Sequence, residues 1–254
     1  MKRVLSLIVL VMLSLFCAAC ARPQGYIDFT QPQDTHPAAE EPDTKPLRIA
    51  FASVMSPKET RQVYQQIVNY ISQQENRPAI LIQRRTYEEL NTLLTNGDAD
   101  VAFSSTGAYA AYQGHEPIEL LAMTETNGSS YYQTYIITAA DSDITDTHQL
   151  QGRVFAFTDP LSYSGCLAIT FRLAQQVRVL AKMPEAPTGP IVVRSSLDPE
   201  EKASLRRIFY TMHENPDLSR SMKTIVIDRF VAPDTAAYEQ FKRQYAEQRR
   251  LAGT

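Results

Sequence analysis

The chain has 254 residues, of which 44% are hydrophobic and 21% charged, enough apolar material for one large or two small domains, so disorder throughout is excluded. Its formal charge of −3 reflects 25 basic against 28 acidic residues; without Lys2 and Arg3, in a segment expected to be removed, 23 basic residues remain and the charge is −5. There is no long basic run, so a nucleic-acid partner held by phosphate neutralisation is not expected.

The N-terminus reads as an export signal. Lys2-Arg3 is a short positive region, and Val4 to Phe16 is a continuous apolar stretch too short to span a bilayer comfortably. Cys17-Ala18-Ala19-Cys20 supplies the small residues a signal peptidase needs. The segment resembles a bacterial lipoprotein signal with Cys20 as the lipidated first residue, although Cys17 stands where Leu is usual; a plain signal peptide cut nearby is the alternative. Cys166 is then the one cysteine left in the folded part, so no intramolecular disulfide is expected there. At that position a small packing residue is the ordinary role and a reactive thiol the other.

Ala21 to Pro46 is polar and carries Pro23, Pro32, Pro37, Pro42 and Pro46 with no period of 2 or 3.6, the pattern of a flexible tether. Folding is expected to begin with a strand at Leu47 to Ala52 and a turn, Ser53 to Met55, at its carboxyl end. Ser56-Pro57-Lys58-Glu59 has a capping box with Pro at the first helical position and opens a helix to about Gln74. A strand at Ala79 to Ile82 precedes a second capping box, Thr86 to Glu89, and a helix ending at Asn96-Gly97. Strand Ala99 to Phe103 leads through Ser104-Ser105-Thr106-Gly107 into a further helix. This βαβαβα order predicts an α/β fold with a doubly wound, mostly parallel sheet, whose ligands bind at the carboxyl ends of the strands.

Strands are expected at Ile118 to Met123, at Tyr131 to Thr138 and at Arg153 to Phe157. The stretch Asp159-Pro160-Leu161-Ser162-Tyr163-Ser164-Gly165 then reads as a tight turn into a helix whose first turn carries two hydroxyls. Free N–H groups and the positive end of the helix dipole meet there, which suits an anion. Ser53 to Ser56, Ser104 to Thr106 and Ser162 to Ser164 share one theme, neutral donors at helix starts, and capping alone accounts for any one of them.

The helix from Ser164 runs through Leu173-Ala174-Gln175-Gln176 straight into Val177 to Ala181, a strand-like run, with no residue between them that stops a helix. Pro184, Pro187 and Pro190 mark a crossing back towards the first part of the chain, with a strand at Ile191 to Val193. Asp198-Pro199-Glu200-Glu201 caps a helix, and two more are expected at Asp217 to Lys223 and Thr235 to Arg249.

Several segments in order, Tyr87-Glu88-Glu89-Leu90, Gly97 to Phe103, Tyr132 with Ile136-Ile137, Asp141 to Ile144, Leu150 to Arg153 and Asp159 to Gly165, carry a resemblance. Pro190 to Arg194 and Asp228 to Val231 continue it, so that it covers most of Leu47 to Phe241. The chain resembles the phosphonate, phosphite and phosphate substrate-binding proteins of ABC transporters, which are two-lobed periplasmic binding proteins. The resemblance implies a ligand between lobes, its oxyanion head on Ser162, Tyr163, Ser164 and Gly165, with Tyr87, Tyr132, Ser105, Thr106 and Ser53 around it. Two departures stand out: Tyr163 occupies a position where the family often has a small Thr, and several dozen residues of the second lobe are missing after Gln176.

On this reading residues 1–19 are a signal peptide and 20–46 the lipidated Cys20 with its tether. The first lobe is 47–130 with 184–254, and 131–183 is an incomplete second lobe with crossing strands. No metal, cofactor or catalytic chemistry is expected: the enzyme motifs are missing, and His36, His115, His148 and His213 lack ligand spacing. The expected function is a lipid-anchored binding protein that delivers a phosphonate- or phosphate-like oxyanion to an ABC permease. A membrane-tethered interaction or sensory module that no longer binds a transport ligand is the alternative.

Overall fold

The computed structural model describes residues 45–52, 57–168 and 185–252. Cys20, the expected signal, the tether as far as residue 44, the Ser53 to Ser56 turn and the junction after Gln176 lie outside the described residues.

The main sheet has six strands: β1 (Leu47–Ala52), β2 (Ala79–Arg84), β3 (Val101–Phe103), β4 (Ile118–Glu125), β7 (Pro190–Arg194) and β8 (Arg229–Val231), in the order β2-β1-β3-β7-β4-β8. β1 pairs in parallel with β2 and β3. β7 is antiparallel to both β3 and β4, and β8 is antiparallel to β4. β1 to β4 therefore all point one way, as expected for a mostly parallel sheet, and the two late strands run against them. The Pro-rich crossing does return the chain to this sheet, placing β7 between β3 and β4.

Successive strand residues face opposite sides. Ile49, Phe51, Val101, Ile191 and Val193 pack under α1 (Pro57–Glu75), α4 (Pro199–Thr211) and α5 (Pro216–Thr224). Ala50, Ala102 and Val192 face α2 (Tyr87–Thr95), α3 (Thr106–Ala111) and α6 (Thr235–Ala252). Small Ala on that face lets Tyr87, Tyr109 and Tyr238 approach the sheet, whereas Phe51 stacks on Phe103 at 4.0 Å on the other. Helices cover both sides, which is the doubly wound arrangement.

Two of the capping signals read from sequence hold, and the box at Ser56 lies outside the described residues. Thr86 and Glu89 form the reciprocal box at the start of α2, and Asp198 accepts from the Glu200 and Glu201 amides at the start of α4.

The expected strand at 131–138 shrinks to β5 (Tyr131–Tyr132), which pairs antiparallel with β6 (Ala186–Pro187) in a small separate sheet. The expected strand at 153–157 does not form; Val154 is fully exposed and Phe157 is 45% exposed. Apolar alternation is a local property, but a strand exists only where a neighbour accepts its backbone groups. Among the described residues no neighbour pairs with 133–138 or 153–157. The helix start after Ser162 opens with one π-helical turn, Tyr163–Leu167.

Candidate functional site

Because β1 to β4 point one way and β7 and β8 the other, one sheet edge collects the carboxyl ends of β2, β3 and β4 with the amino ends of β7 and β8. A cleft of about 550 Å³ lies at this edge. Tyr87 comes to it from beyond β2, Ser104 to Thr106 from beyond β3, and Thr124 to Ser129 from β4 and the turn after it. Thr188 and Gly189 precede β7, and Val226 precedes β8. Tyr131 and Tyr132 of β5, with Ser162 and Ser164, complete the wall.

Twelve of these fifteen lining residues carry a hydroxyl, and none of the described lining side chains carries a formal charge. Each hydroxyl has one proton to donate; those of Ser104, Ser105, Thr106, Thr126, Ser129, Tyr131 and Thr188 go to protein oxygens, which leaves Tyr87, Thr124, Tyr132, Ser162 and Ser164 as the neutral donors for a ligand.

Two helix starts meet in the wall. Ser105 caps α3, its hydroxyl accepting from the Ala108 amide at 2.9 Å, and the same hydroxyl donates to the Leu161 carbonyl at 2.8 Å. Ser162 caps the turn opposite, its hydroxyl accepting from the Gly165 amide at 3.1 Å. Gly107 permits this approach: a Cβ there would stand 2.6 Å from Leu167 Cδ1 and overlap the Leu161 carbonyl. Gly189 does the same for the crossing chain, since a Cβ would lie 2.5 Å from the Ser104 carbonyl.

Tyr132 sits between the two starts, its phenol beside Ser164 and Thr106. Thr106 in turn donates to the Pro187 carbonyl at 2.6 Å. Burial raises the pKa of Tyr132, with the polar groups of Ser164 and Thr106 partly opposing it. Burial likewise pushes Tyr87 well above the usual phenol value, followed by the charge of Asp159 and the neighbouring tyrosines. Both phenols are therefore neutral donors at any physiological pH.

The structure brings Tyr87, Ser105, Thr106, Tyr132, Ser162 and Ser164 of the expected set to one cleft. Gly165 stands behind it, its amide taken up by Ser162. The Tyr163 side chain turns away from the cleft and packs edge-to-face on Phe241 at 4.8 Å, beside Leu167 and Ala186. Burial, then Tyr132, pushes its pKa up to about 12. Ser53 lies outside the described residues.

Sequence reasoning passed over Thr124, Thr126, Asn127, Ser129, Tyr131, Thr188 and Val226. One signal was available: Asn127-Gly128, with φ of 51° and 72°, is the two-residue hairpin turn that such a dipeptide favours. The Thr126 and Ser129 backbones close it in both directions, at 2.9 and 3.0 Å.

A family model for the ABC transporter phosphonate periplasmic substrate-binding protein matches residues 49–176 and 169–238. The chain belongs to this family. As a periplasmic substrate-binding protein it is a binder of solutes and not an enzyme. No curated protein matches its sequence. Among solved structures, a Xanthomonas citri protein bound to ATP superposes with a TM-score of 0.67 at 16% identity, covering 83% of this chain and 99% of that one. The binding protein component of an ABC phosphonate transporter from Pseudomonas aeruginosa gives 0.65 at 18%, covering 83% and 95%. PhnD1 from Prochlorococcus marinus, in complex with methylphosphonate, gives 0.54 at 10%, covering 80% and 99%. At these identities the likeness is one of fold, and the binding protein's cleft must be read from its own residues.

Proposed function

We propose that this binding protein captures a phosphonate- or phosphate-like oxyanion in the hydroxyl-lined cleft and delivers it to an ABC permease, held to the membrane by lipid on Cys20. The observation that carries the reading is the convergence of two capped helix starts, Ser105-Thr106 and Ser162-Ser164, on an uncharged cleft lined by hydroxyls. An anion gains hydrogen bonds and favourable dipole ends there without a cation to hold it irreversibly. A neutral site also lets the ligand leave for a permease. The first lobe is assigned to 47–130 with 184–254 and the second to 131–183. The two family matches overlap over 169–176, which supports an internal shortening of the second lobe near Gln176.

Calorimetric titration of the full chain in detergent with phosphate, phosphite, methylphosphonate and aminoalkylphosphonates tests the ligand class. Micromolar or tighter binding that disappears in Ser162→Ala/Ser164→Ala is expected; a folded protein that binds none of them overturns the reading. Radiolabelled lipid incorporated by the wild type but not by Cys20→Ser tests the anchor.

One observation favours the second reading, a tethered interaction module. Tyr135, Ile137 and Val154 are 64%, 87% and 100% exposed on the stretch assigned to the second lobe, apolar side chains left open to a protein partner.

A further inference from the structure

Val226 combines two features that do not ordinarily occur together. It closes the C-terminus of α5 in a Schellman arrangement: the Ile227 amide donates to the Met222 carbonyl at 3.1 Å and the Val226 amide to the Lys223 carbonyl at 3.1 Å. The residue between those two bonds' ends takes a left-handed conformation, and φ of Val226 is +61°. Glycine is the usual occupant; a β-branched side chain there is strained. The conformation is held from outside the helix, because Thr126 donates to the Val226 carbonyl at 2.5 Å and the Asn127 amide donates to Asp228 at 2.6 Å.

The second feature is where the strained side chain stands. Val226 is 61% exposed, and it contributes the one aliphatic side chain among the described lining residues of the cleft. The remainder are hydroxyls, Asn127 and Gly189. An inorganic phosphate presents oxygen in every direction and is matched by hydroxyls alone. A phosphonate differs in one direction, where a carbon bonded to phosphorus neither accepts nor donates a hydrogen bond and is stabilised by apolar contact.

Resting on the oxyanion reading above, we propose that Val226 is a specificity-determining residue that contacts the carbon-linked substituent of a phosphonate whose oxyanion head lies on the hydroxyl cluster. The strain is retained because glycine, the better cap, presents nothing to the ligand.

The test is calorimetric titration of the full chain, as wild type, Val226→Gly and Val226→Asn, with inorganic phosphate, methylphosphonate and propylphosphonate. Gly and Asn both tolerate positive φ, so both variants keep the cap. The ratio of propylphosphonate to phosphate affinity is expected to fall about three- to tenfold in both, as for the loss of one or two buried methylenes, with phosphate affinity within about twofold of wild type. Wild-type binding of phosphonates with an unchanged ratio in the variants overturns the role of Val226 and leaves the oxyanion reading standing. Equal losses for phosphate and propylphosphonate also overturn it, since they mark a general collapse of the rim. A wild type that binds none of the three overturns both.

Discussion

Asp159 and Tyr87, 72 residues apart in sequence, are joined by a hydrogen bond of 3.0 Å from the Tyr87 amide to Asp159 Oδ2. The carboxylate thereby sits on the first turn of α2, where it opposes the positive end of the helix dipole. Its other oxygen accepts from the Leu161 amide at 2.7 Å and shapes the turn leading to Ser162. One side chain thus holds the two walls of the cleft in register.

Asp159→Ala removes both bonds. Stability is expected to fall by about 2 kcal/mol, in the range of a charged hydrogen bond at a helix start. Ligand affinity falls with it, because Ser162 and Tyr87 lose their common support. Urea unfolding and titration of the same sample check this; unchanged values in both would remove Asp159 from the architecture of the site.

Tyr132→Phe keeps the aromatic packing against Tyr163, whose ring centroid is 6.4 Å away, and deletes the phenol that meets Ser164 and Thr106. Affinity for the best-binding phosphonate is expected to fall about tenfold, equivalent to one hydrogen bond of about 1.4 kcal/mol. Calorimetry distinguishes this from a variant that binds as tightly as the wild type.

Burial is the main cause of the raised pKa at Tyr87, Tyr132, Tyr163 and Tyr238. Each phenol therefore keeps its proton in the folded state at pH values where the unfolded chain releases it. The corresponding stability is fully present below about pH 10, the unfolded value, and is lost as pH rises towards the folded ones. Denaturant midpoints measured from pH 8 to 11.5 should be level at first and decline above about pH 10. A midpoint that rises there contradicts the burial of these hydroxyls.

Asp100 anchors the edge opposite the cleft. Its carboxylate accepts from the Arg48 amide at 2.7 Å and from Arg48 Nη2 and Nε at 2.9 and 3.1 Å, and Arg194 Nη2 adds a contact of 2.7 Å. Burial raises its pKa, but the Arg48 hydrogen bonds and the charges of Arg48 and Arg194 outweigh this and leave it lowered. The stability it contributes is present above the unfolded value of about 3.9 and is lost as pH falls through the lower folded value. Asp100→Ala leaves two arginines facing a gap and is expected to cost about 3–5 kcal/mol, with a weaker acid-dependent loss of stability than the wild type. Thermal unfolding between pH 3 and 7 measures both.

Local signals in this chain were legible where they are sufficient by themselves. Thr86 and Glu89 cap a helix because their partners are three residues apart, and the order of strands and helices from Leu47 to Tyr112 implied the sheet and its ligand-bearing edge. Five of the expected site residues, Tyr87, Ser105, Thr106, Ser162 and Ser164, reached one cleft for the same reason, since each stands at a helix start, and Tyr132 joined them from β5. Tertiary structure alone decided the rest. Tyr163 left the cleft for Phe241, which α6 supplies from 78 positions later in the numbering. Thr188 and Val226 entered it because β7 and β8 run antiparallel to the earlier strands and so begin at the edge where those strands finish. The runs at 131–138, which alternates, and 153–157, which is continuously apolar after Arg153, have strand-like patterns and mostly are not strands, because a pattern is written in one segment while a hydrogen-bonded ladder needs two.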